Sequence, residues 1–172
     1  MFARVGGLAA RPASARTPSA GAVDAAPRHV MKRILVGLDG SPRAPHVLAA
    51  AQRLAELTDS TLIAYRAIGV APDMPREVLD ATDARLEDIL RRNAHTELQR
   101  LTADVPRGRL DSIVVELATP WDGICGAARK YDVDLIVIGS HGYQGLDRIL
   151  GTNAGKVANH ADRNVLIVRT PL

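Results

Sequence analysis

Cysteine is almost absent from this chain of 172 residues, which contains only Cys125. One thiol cannot form an internal disulfide, and such a composition is typical of a reducing compartment, so we expect a cytoplasmic protein. Because Cys125 lies among apolar neighbours of a predicted helix, we expect it to be a buried structural thiol. The five histidines show no short metal-ligand spacing, so a structural zinc site is not predicted.

Aromatic residues and long apolar runs are also scarce. Aromatic side chains make up 3% of the sequence, which predicts an aliphatic core and argues against nucleic-acid modules that stack bases on exposed rings. No stretch of eighteen or more apolar residues occurs, so no transmembrane helix is predicted. The sequence also contains neither a Gly-x4-Gly-Lys-Ser/Thr loop nor a Gly-x-Ser-x-Gly elbow. We therefore expect neither a nucleic-acid partner nor a membrane partner.

The positive charge of the chain is concentrated at its start. Residues 1–30 contain four arginines and one aspartate, which accounts for the whole formal net charge of +3. This segment is rich in Ala, Arg, Pro, Gly and Ser and has no helical or strand periodicity, so we expect a disordered extension. Residues 31–172 carry equal numbers of acidic and basic side chains and are expected to form one nucleotide-binding domain, with no basic groove for nucleic acid.

Strand-like and helix-like segments alternate from Met31 onward. Short apolar runs that are typical of strands buried on both faces alternate with helical patterns, and the crossovers are long enough for parallel pairing. The predicted fold is therefore an α/β, doubly wound, five-stranded parallel sheet with helices on both faces. The five predicted strands span residues 34–38, 62–68, 112–117, 135–138 and 165–168.

Local signals mark where the helices begin. The segment Asp39-Gly40-Ser41-Pro42 predicts a turn, a helix cap and a proline in the first turn of the first helix. Thr119 and Asp122 have the spacing of a capping box at a later helix. A longer helix before the third strand should place one apolar stripe against the core. That stripe comprises Leu79, Leu86, Ile89, Leu90, Leu98 and Leu101.

Glycines are clustered directly after the fourth predicted strand. Gly139 and Gly142 form a Gly-x-x-Gly turn, and Gly151-Thr152 follows before an alanine-rich helical segment. Ligands bind at the carboxyl ends of strands in open α/β sheets, where exposed N–H groups can hold phosphate. Tight-turn geometry alone also explains such glycines. The pattern nevertheless favours a phosphate site.

The motifs together resemble those of the universal stress protein family, within the adenine-nucleotide alpha-hydrolase-like superfamily. The resemblance covers residues 31–171. It rests on the first-strand motif that ends in Asp39-Gly40-Ser41, on the segment from Asp134 to Gly142, on Gly151-Thr152, and on the segment from Asn164 to Arg169 that contains the last strand. The family implies the strand order 3-2-1-4-5. Members that bind ATP carry Gly-x-x-Gly, nine residues and Gly-Ser/Thr, whereas eight residues separate Gly142 from Gly151 here.

The resemblance also implies a set of binding residues. Asp39 would contact the nucleoside or Mg²⁺, although capping the next helix is an alternative role. Ala67 would offer a backbone contact to adenine, and the remaining positions would surround the phosphates at the end of the fourth strand and the start of the next helix. These remaining positions are Ile138, Gly139, His141, Gly142, Gly151, Thr152, Asn153 and Ala154.

The expected function is that of a stress-response regulator or sensor that binds ATP or another adenine nucleotide. The family also implies a homodimer formed through the strand from Asn164 to Arg169, which is apolar and β-branched. Two alternatives remain open, namely an interaction module without nucleotide and a slow ATP hydrolase. No acid–base pair is evident, so we expect no efficient catalysis.

Overall fold

The computed structural model describes residues 31–69, 84–140 and 152–169. The described elements form a five-stranded parallel sheet with the strand order β3-β2-β1-β4-β5, so the predicted fold is confirmed. The predicted extension 1–30 and Leu79 lie outside the described residues. The elements are β1 (Arg33–Gly37), α1 (Ala44–Thr58), β2 (Thr61–Gly69), α2 (Ala84–Leu101), β3 (Leu110–Ala118), α3 (Pro120–Lys130), β4 (Leu135–Gly139), α4 (Thr152–His160) and β5 (Asn164–Val168).

The central strand β1 sets the register of the sheet. Gly37 aligns with Tyr65 of β2 and with Ile138 of β4, so the three strands reach the same edge. The N–H of Leu38 then donates to the Tyr65 carbonyl at 2.8 Å and extends the β1–β2 ladder by one residue. The residues that follow β1 and β4 therefore begin side by side at the carboxyl edge, where the strand order reverses.

Alternating side chains of the strands form two cores on opposite faces of the sheet. Ile34 and Val36 pack with α1 and α2, whereas Leu35 packs with α3 and α4. Most of the buried residues are Val, Ile, Leu and Ala, as the low aromatic content predicts. Cys125 is buried in the second core, which confirms its predicted position. None of the described helices has the length and apolar character needed to cross a membrane.

The predicted start of the first helix was wrong by a few residues. Arg43 occupies the N-cap position, and the proline in the first turn is Pro45 rather than Pro42. Asp39 and Ser41 instead stabilise the preceding turn, because short polar side chains readily bond the backbone two residues on. Thr119 is the N-cap residue of α3, as predicted, but its side chain makes no capping hydrogen bond.

The predicted apolar stripe of α2 is buried only in part. Leu98 is 1% exposed and packs in the first core, whereas Leu86 is 49% exposed. Ile89 and Leu90 are also exposed, so the prediction that they are buried was wrong. The C-terminal half of α2 lies against β2 and β3, and this half therefore contributes the core contacts.

Candidate functional site

A cleft opens at the carboxyl edge of the sheet, between the ends of β1 and β4. It has a cavity volume of about 270 Å³. Residues at the ends of three strands (β1, β2 and β4) and at the starts of three helices (α1, α3 and α4) line it, which matches the position of ligand sites in doubly wound sheets. The described lining residues are Gly37, Leu38, Asp39, Ser41, Arg43, Ala44, Val47, Tyr65, Ala67, Pro120, Ile124, Ile138, Gly139, Ser140, Asn153, Ala154 and Val157.

Asp39 lines this cleft, two residues beyond β1. Its Oδ1 accepts a hydrogen bond from the Ser41 N–H at 3.0 Å, and the Ser41 hydroxyl accepts from the Arg43 N–H at 3.3 Å. These two bonds define the turn that leads into α1. The carboxylate therefore bonds its own turn and does not cap the helix, while it still lines the cleft.

The glycine that follows Asp39 brings the turn close to β2. A Cβ atom at Gly40 would lie 2.9 Å from a terminal nitrogen of Arg66. Arg66 in turn forms an ion pair with Glu97 of α2. Gly40 therefore lets the Arg66 guanidinium pack directly against the backbone next to Asp39.

The second strand contributes Ala67, which is one of the proposed binding residues, and also Tyr65 to the lining of the cleft. Tyr65 is fully buried, and its hydroxyl donates to Glu116 of β3 at 3.3 Å. Lys130 of α3 bonds the other carboxylate oxygen of Glu116 at 2.9 Å. Burial, with the negative charge of Glu116, raises the pKa of Tyr65 far above its usual range. Tyr65 is therefore a neutral hydrogen-bond donor in the wall of the cleft.

The fourth strand ends in the cleft at Ile138 and Gly139. A Cβ atom at Gly139 would lie 3.0 Å from Cγ2 of Val47, which is tight for any side chain. Gly139 has no positive φ, so lack of space rather than left-handed geometry favours glycine there. The N–H of the next residue, Ser140, donates to Val168 of β5 at 2.9 Å, which holds the end of β4 against β5.

The helix α4 begins at Thr152, and Asn153 and Ala154 from its first turn line the cleft. The structure therefore brings six of the predicted site residues to one place, namely Asp39, Ala67, Ile138, Gly139, Asn153 and Ala154. The predicted residues His141, Gly142 and Gly151 lie outside the described residues. The side chain of Thr152 is also outside them.

Several lining residues were not predicted. Ser41 and Arg43 follow Asp39 in the same turn, and this proximity is a signal that could have identified them. Pro120 and Ile124 enter because β3 also ends at this edge and α3 starts directly after it. No local sequence signal distinguishes Val157, which reaches the cleft from the second turn of α4.

The described residues provide little metal-binding capacity of their own. They contain no group of three or more His, Cys, Asp or Glu side chains that could hold a metal ion. Asp39 is the one carboxylate among the described residues of the cleft. A Mg²⁺ ion there would need most of its oxygen ligands from a phosphate and water, which is how nucleotide-bound magnesium is usually held.

The fold and the cleft define a doubly wound α/β protein with a small-molecule cleft at the topological switch point of its sheet. Residues 31–169 match the model of the universal stress protein family. The chain belongs to this family, so the resemblance noted from the sequence is confirmed.

Individual relatives agree with this assignment. Universal stress protein A homolog 1 of Coxiella burnetii is 32% identical over 143 residues, which cover 80% of this chain and 95% of the relative. The structure of universal stress protein UspA from Lactobacillus plantarum is similar with a TM-score of 0.57 and 26% identity, covering 81% and 98% of the two chains. The structure of a universal stress protein in complex with cAMP is similar with a TM-score of 0.58 and 22% identity, and the match covers 83% of this chain and 99% of that protein.

Proposed function

We propose that this universal stress protein binds an adenine nucleotide, with ATP as the favoured ligand, and acts as a regulator or sensor in a stress response. The observation that carries the proposal is the cleft, which joins Asp39 and Ala67 to Gly139, Asn153 and Ala154. These residues are far apart in the sequence. Their common location at the switch point is the arrangement in which open α/β sheets hold nucleotides. The neighbour solved with cAMP supports the capacity of this fold for an adenine nucleotide.

Each part of the cleft suits a different part of the ligand. The apolar wall near Ala67, Pro120 and Ile124 suits the adenine ring. Asp39 suits a ribose hydroxyl or a Mg²⁺ ion that is shared with the phosphates. The N-terminus of α4, with Asn153, suits the phosphates because N–H groups and the helix dipole favour anions. In this proposal the predicted loop residues His141, Gly142, Gly151 and Thr152 complete the phosphate contacts.

We propose binding rather than catalysis as the main role of the cleft. Hydrolysis of ATP needs a group that positions a water molecule at the γ-phosphate. Among the described lining residues only Asp39 is a carboxylate, and none is a histidine. Its carboxylate also accepts the Ser41 N–H of its own turn. A nucleotide-controlled change in partner binding therefore fits this site better than turnover does.

The proposal also includes a homodimer in the cytoplasm. Among the described strands, β5 pairs with β4 alone, and Leu166 on β5 is 37% exposed. An open strand with apolar side chains pairs readily with a second copy of itself. The free, buried thiol of Cys125 fits a reducing compartment.

Isothermal titration calorimetry of the full chain with ATP and with cAMP tests the nucleotide proposal. In Ala67→Phe the larger side chain should occupy the space beside the apolar wall and weaken nucleotide binding by at least about tenfold, since the ligand then loses its buried contacts with the cleft. Ala103→Phe is the matched control, because Ala103 is exposed and does not line the cleft. Circular dichroism should show the same secondary structure in all three proteins.

Two results would contradict the proposal. One is a lack of heat and of complex formation with wild-type protein at millimolar nucleotide. The other is equal affinity of the wild type and of a folded Ala67→Phe variant, which would place the ligand elsewhere. If neither nucleotide binds, the alternative of an interaction module without nucleotide is favoured instead.

A further inference from the structure

The arginines of this protein differ in whether they have a counter-charge. Five arginines with described side chains are half-buried, and four of these form ion pairs. Arg43 is the exception, since no described carboxylate lies within ion-pair distance of its guanidinium. The four pairs are Arg66 with Glu97, Arg91 with Glu87, Arg109 with Asp59, and Arg163 with Asp132.

Arg43, which has no ion-pair partner among the described residues, also lies at an unfavourable position for a positive charge. Arg43 is the N-cap residue of α1, and the first turn of that helix contains no acidic residue. The N-terminus of a helix carries a partial positive charge, so a cation there is unfavourable. Partial burial adds a desolvation penalty. Among the described residues, no carboxylate forms an ion pair that would offset these two costs of the Arg43 charge.

The positive charge of Arg43 lies in the lining of the cleft. Arg43 and Asp39 are the two residues of formal charge among the described lining residues, and Arg43 is the one cation. It enters from the face of the sheet that carries α1. Asn153 and Ala154 enter from the face that carries α4. An anion in the cleft would thus lie between the N-termini of two helices, with Arg43 on one side.

We propose that Arg43 is a specificity-determining residue that binds the phosphate chain of the nucleotide and makes the cleft favour ligands with more phosphate groups. This inference rests on the proposed nucleotide function, and it names the residue that makes affinity depend on the charge of the ligand. A guanidinium offers five N–H donors in a planar fork that matches phosphate oxygens. Arg43 thereby gains from the ligand the counter-charge that the other half-buried arginines obtain from the protein.

The test compares ATP, ADP, AMP and adenosine by calorimetry on the wild type and on Arg43→Gln. We expect the wild-type affinity to increase with the number of phosphates. In Arg43→Gln, ATP should bind about tenfold more weakly, because a hydrogen bond to a charged group is lost. The adenosine affinity should change by less than about twofold, since no phosphate is present. The ATP affinity of Arg43→Lys should lie between those of the wild type and Arg43→Gln, because lysine retains the positive charge but lacks the planar donor fork of arginine.

Arg53→Gln is the matched control. Arg53 is exposed on the same helix and is absent from the cleft, yet its substitution changes the net charge equally. Ten residues of helix place it about 15 Å from Arg43 along the axis. We expect the ATP affinity of Arg53→Gln to equal that of the wild type within about twofold at moderate salt.

Thermal unfolding distinguishes a binding role from a structural one. Without ligand, Arg43→Gln should melt at the wild-type temperature or above it, because a cation leaves the helix N-terminus. With saturating ATP, the upward shift in Tm should be smaller in Arg43→Gln than in the wild type. A fall in Tm without ligand would assign Arg43 to folding and overturn the proposal.

The failures of the two proposals differ. If ATP and adenosine lose affinity equally in Arg43→Gln, or if neither changes, the role of Arg43 is wrong while nucleotide binding stands. If the wild type binds none of the four ligands, the nucleotide function itself is wrong, and the role of Arg43 falls with it.

Discussion

The hydroxyl of Tyr65 occupies the space that a side chain at Gly123 would need. A Cβ atom built on Gly123 would lie 2.2 Å from the Tyr65 hydroxyl oxygen and 2.8 Å from the Ala118 Cβ. Glycine in the first turn of α3 therefore permits β2 and α3 to approach each other beside the cleft. The Tyr65 hydroxyl also bonds Glu116, so it cannot move away without losing that bond.

Two glycines of α3 should respond oppositely to alanine. Gly123→Ala should destabilise the protein by about 1–3 kcal/mol, because an overpacked side chain displaces its neighbours. Gly126→Ala should stabilise it by about 0.5–1 kcal/mol, since no atom lies within 4 Å of its Cβ position and alanine is the better helix former. Urea unfolding curves measure both changes. Equal effects of the two substitutions would contradict the packing described for Tyr65.

Stability should decrease at alkaline pH. Burial raises the pKa of Cys125 above its ordinary 9.0, and burial with the charge of Glu116 raises that of Tyr65. Above about pH 9 the unfolded chain then loses protons that the folded protein retains. The folded state binds more protons, so the free energy of unfolding falls as pH rises, and the full stability is present below this range.

Urea unfolding between pH 7 and pH 10.5 measures this decrease. The Cys125→Ala and Tyr65→Phe double variant should show a flatter dependence than the wild type, because both titrating groups are removed. Identical slopes for the wild type and the double variant would show that other groups cause the alkaline loss.

Tryptophan fluorescence should report nucleotide binding. Trp121, the only tryptophan of the chain, follows Pro120 of the cleft. The centroid of its ring lies 5.1 Å from the centroid of the His160 ring. The Lys156 ammonium is 5.8 Å from its ring centroid, and both partners belong to α4. A ligand at the start of α4 should therefore change the emission of Trp121.

A titration of the wild type with ATP tests this, with Ala67→Phe as the control that should need at least about tenfold more ATP for the same change in emission. An unchanged emission spectrum in a sample that calorimetry shows to be saturated would contradict the proposed coupling between α4 and Trp121.

The strands could be predicted because buried parallel strands are continuous apolar runs that need no long-range information. Their ends could not. The third strand begins at Leu110 rather than Ser112, because a register irregularity between Leu62 and Ile63 of β2 skips Asp111 and lets Leu110 pair with Leu62. The predicted burial of Leu86 was wrong for a related reason, since helical periodicity does not reveal where the neighbouring strands end.

The site residues that belong to a sequence motif at the end of a strand could be predicted. Gly139 ends β4 and Asp39 lies two residues beyond β1, and the pairing of these two strands brings both residues to the same edge of the sheet. Arg43 was not predicted, because its proposed role rests on the lack of an ion-pair partner among the described residues and on the cleft that it lines. Tyr65 was missed because a residue inside a buried strand gives no sign that it also lines a cavity.

The oligomeric state should depend on β5. Leu166→Lys should convert the proposed homodimer to a monomer, because a charged residue blocks pairing between open strands. Leu57→Lys is the control, since Leu57 is an exposed leucine on α1, away from β5, with 77% of its surface accessible. Size-exclusion chromatography with light scattering gives the masses. The same mass for both variants and the wild type would exclude β5 as the dimer interface.

The most direct test of nucleotide binding is a crystal structure of the full chain grown with millimolar ATP and Mg²⁺. The account predicts density for one nucleotide between Asp39 and Asn153, with adenine beside Ala67 and the phosphates within hydrogen-bond distance of the Arg43 guanidinium. An empty cleft under these conditions, or a nucleotide bound on another surface, would contradict it.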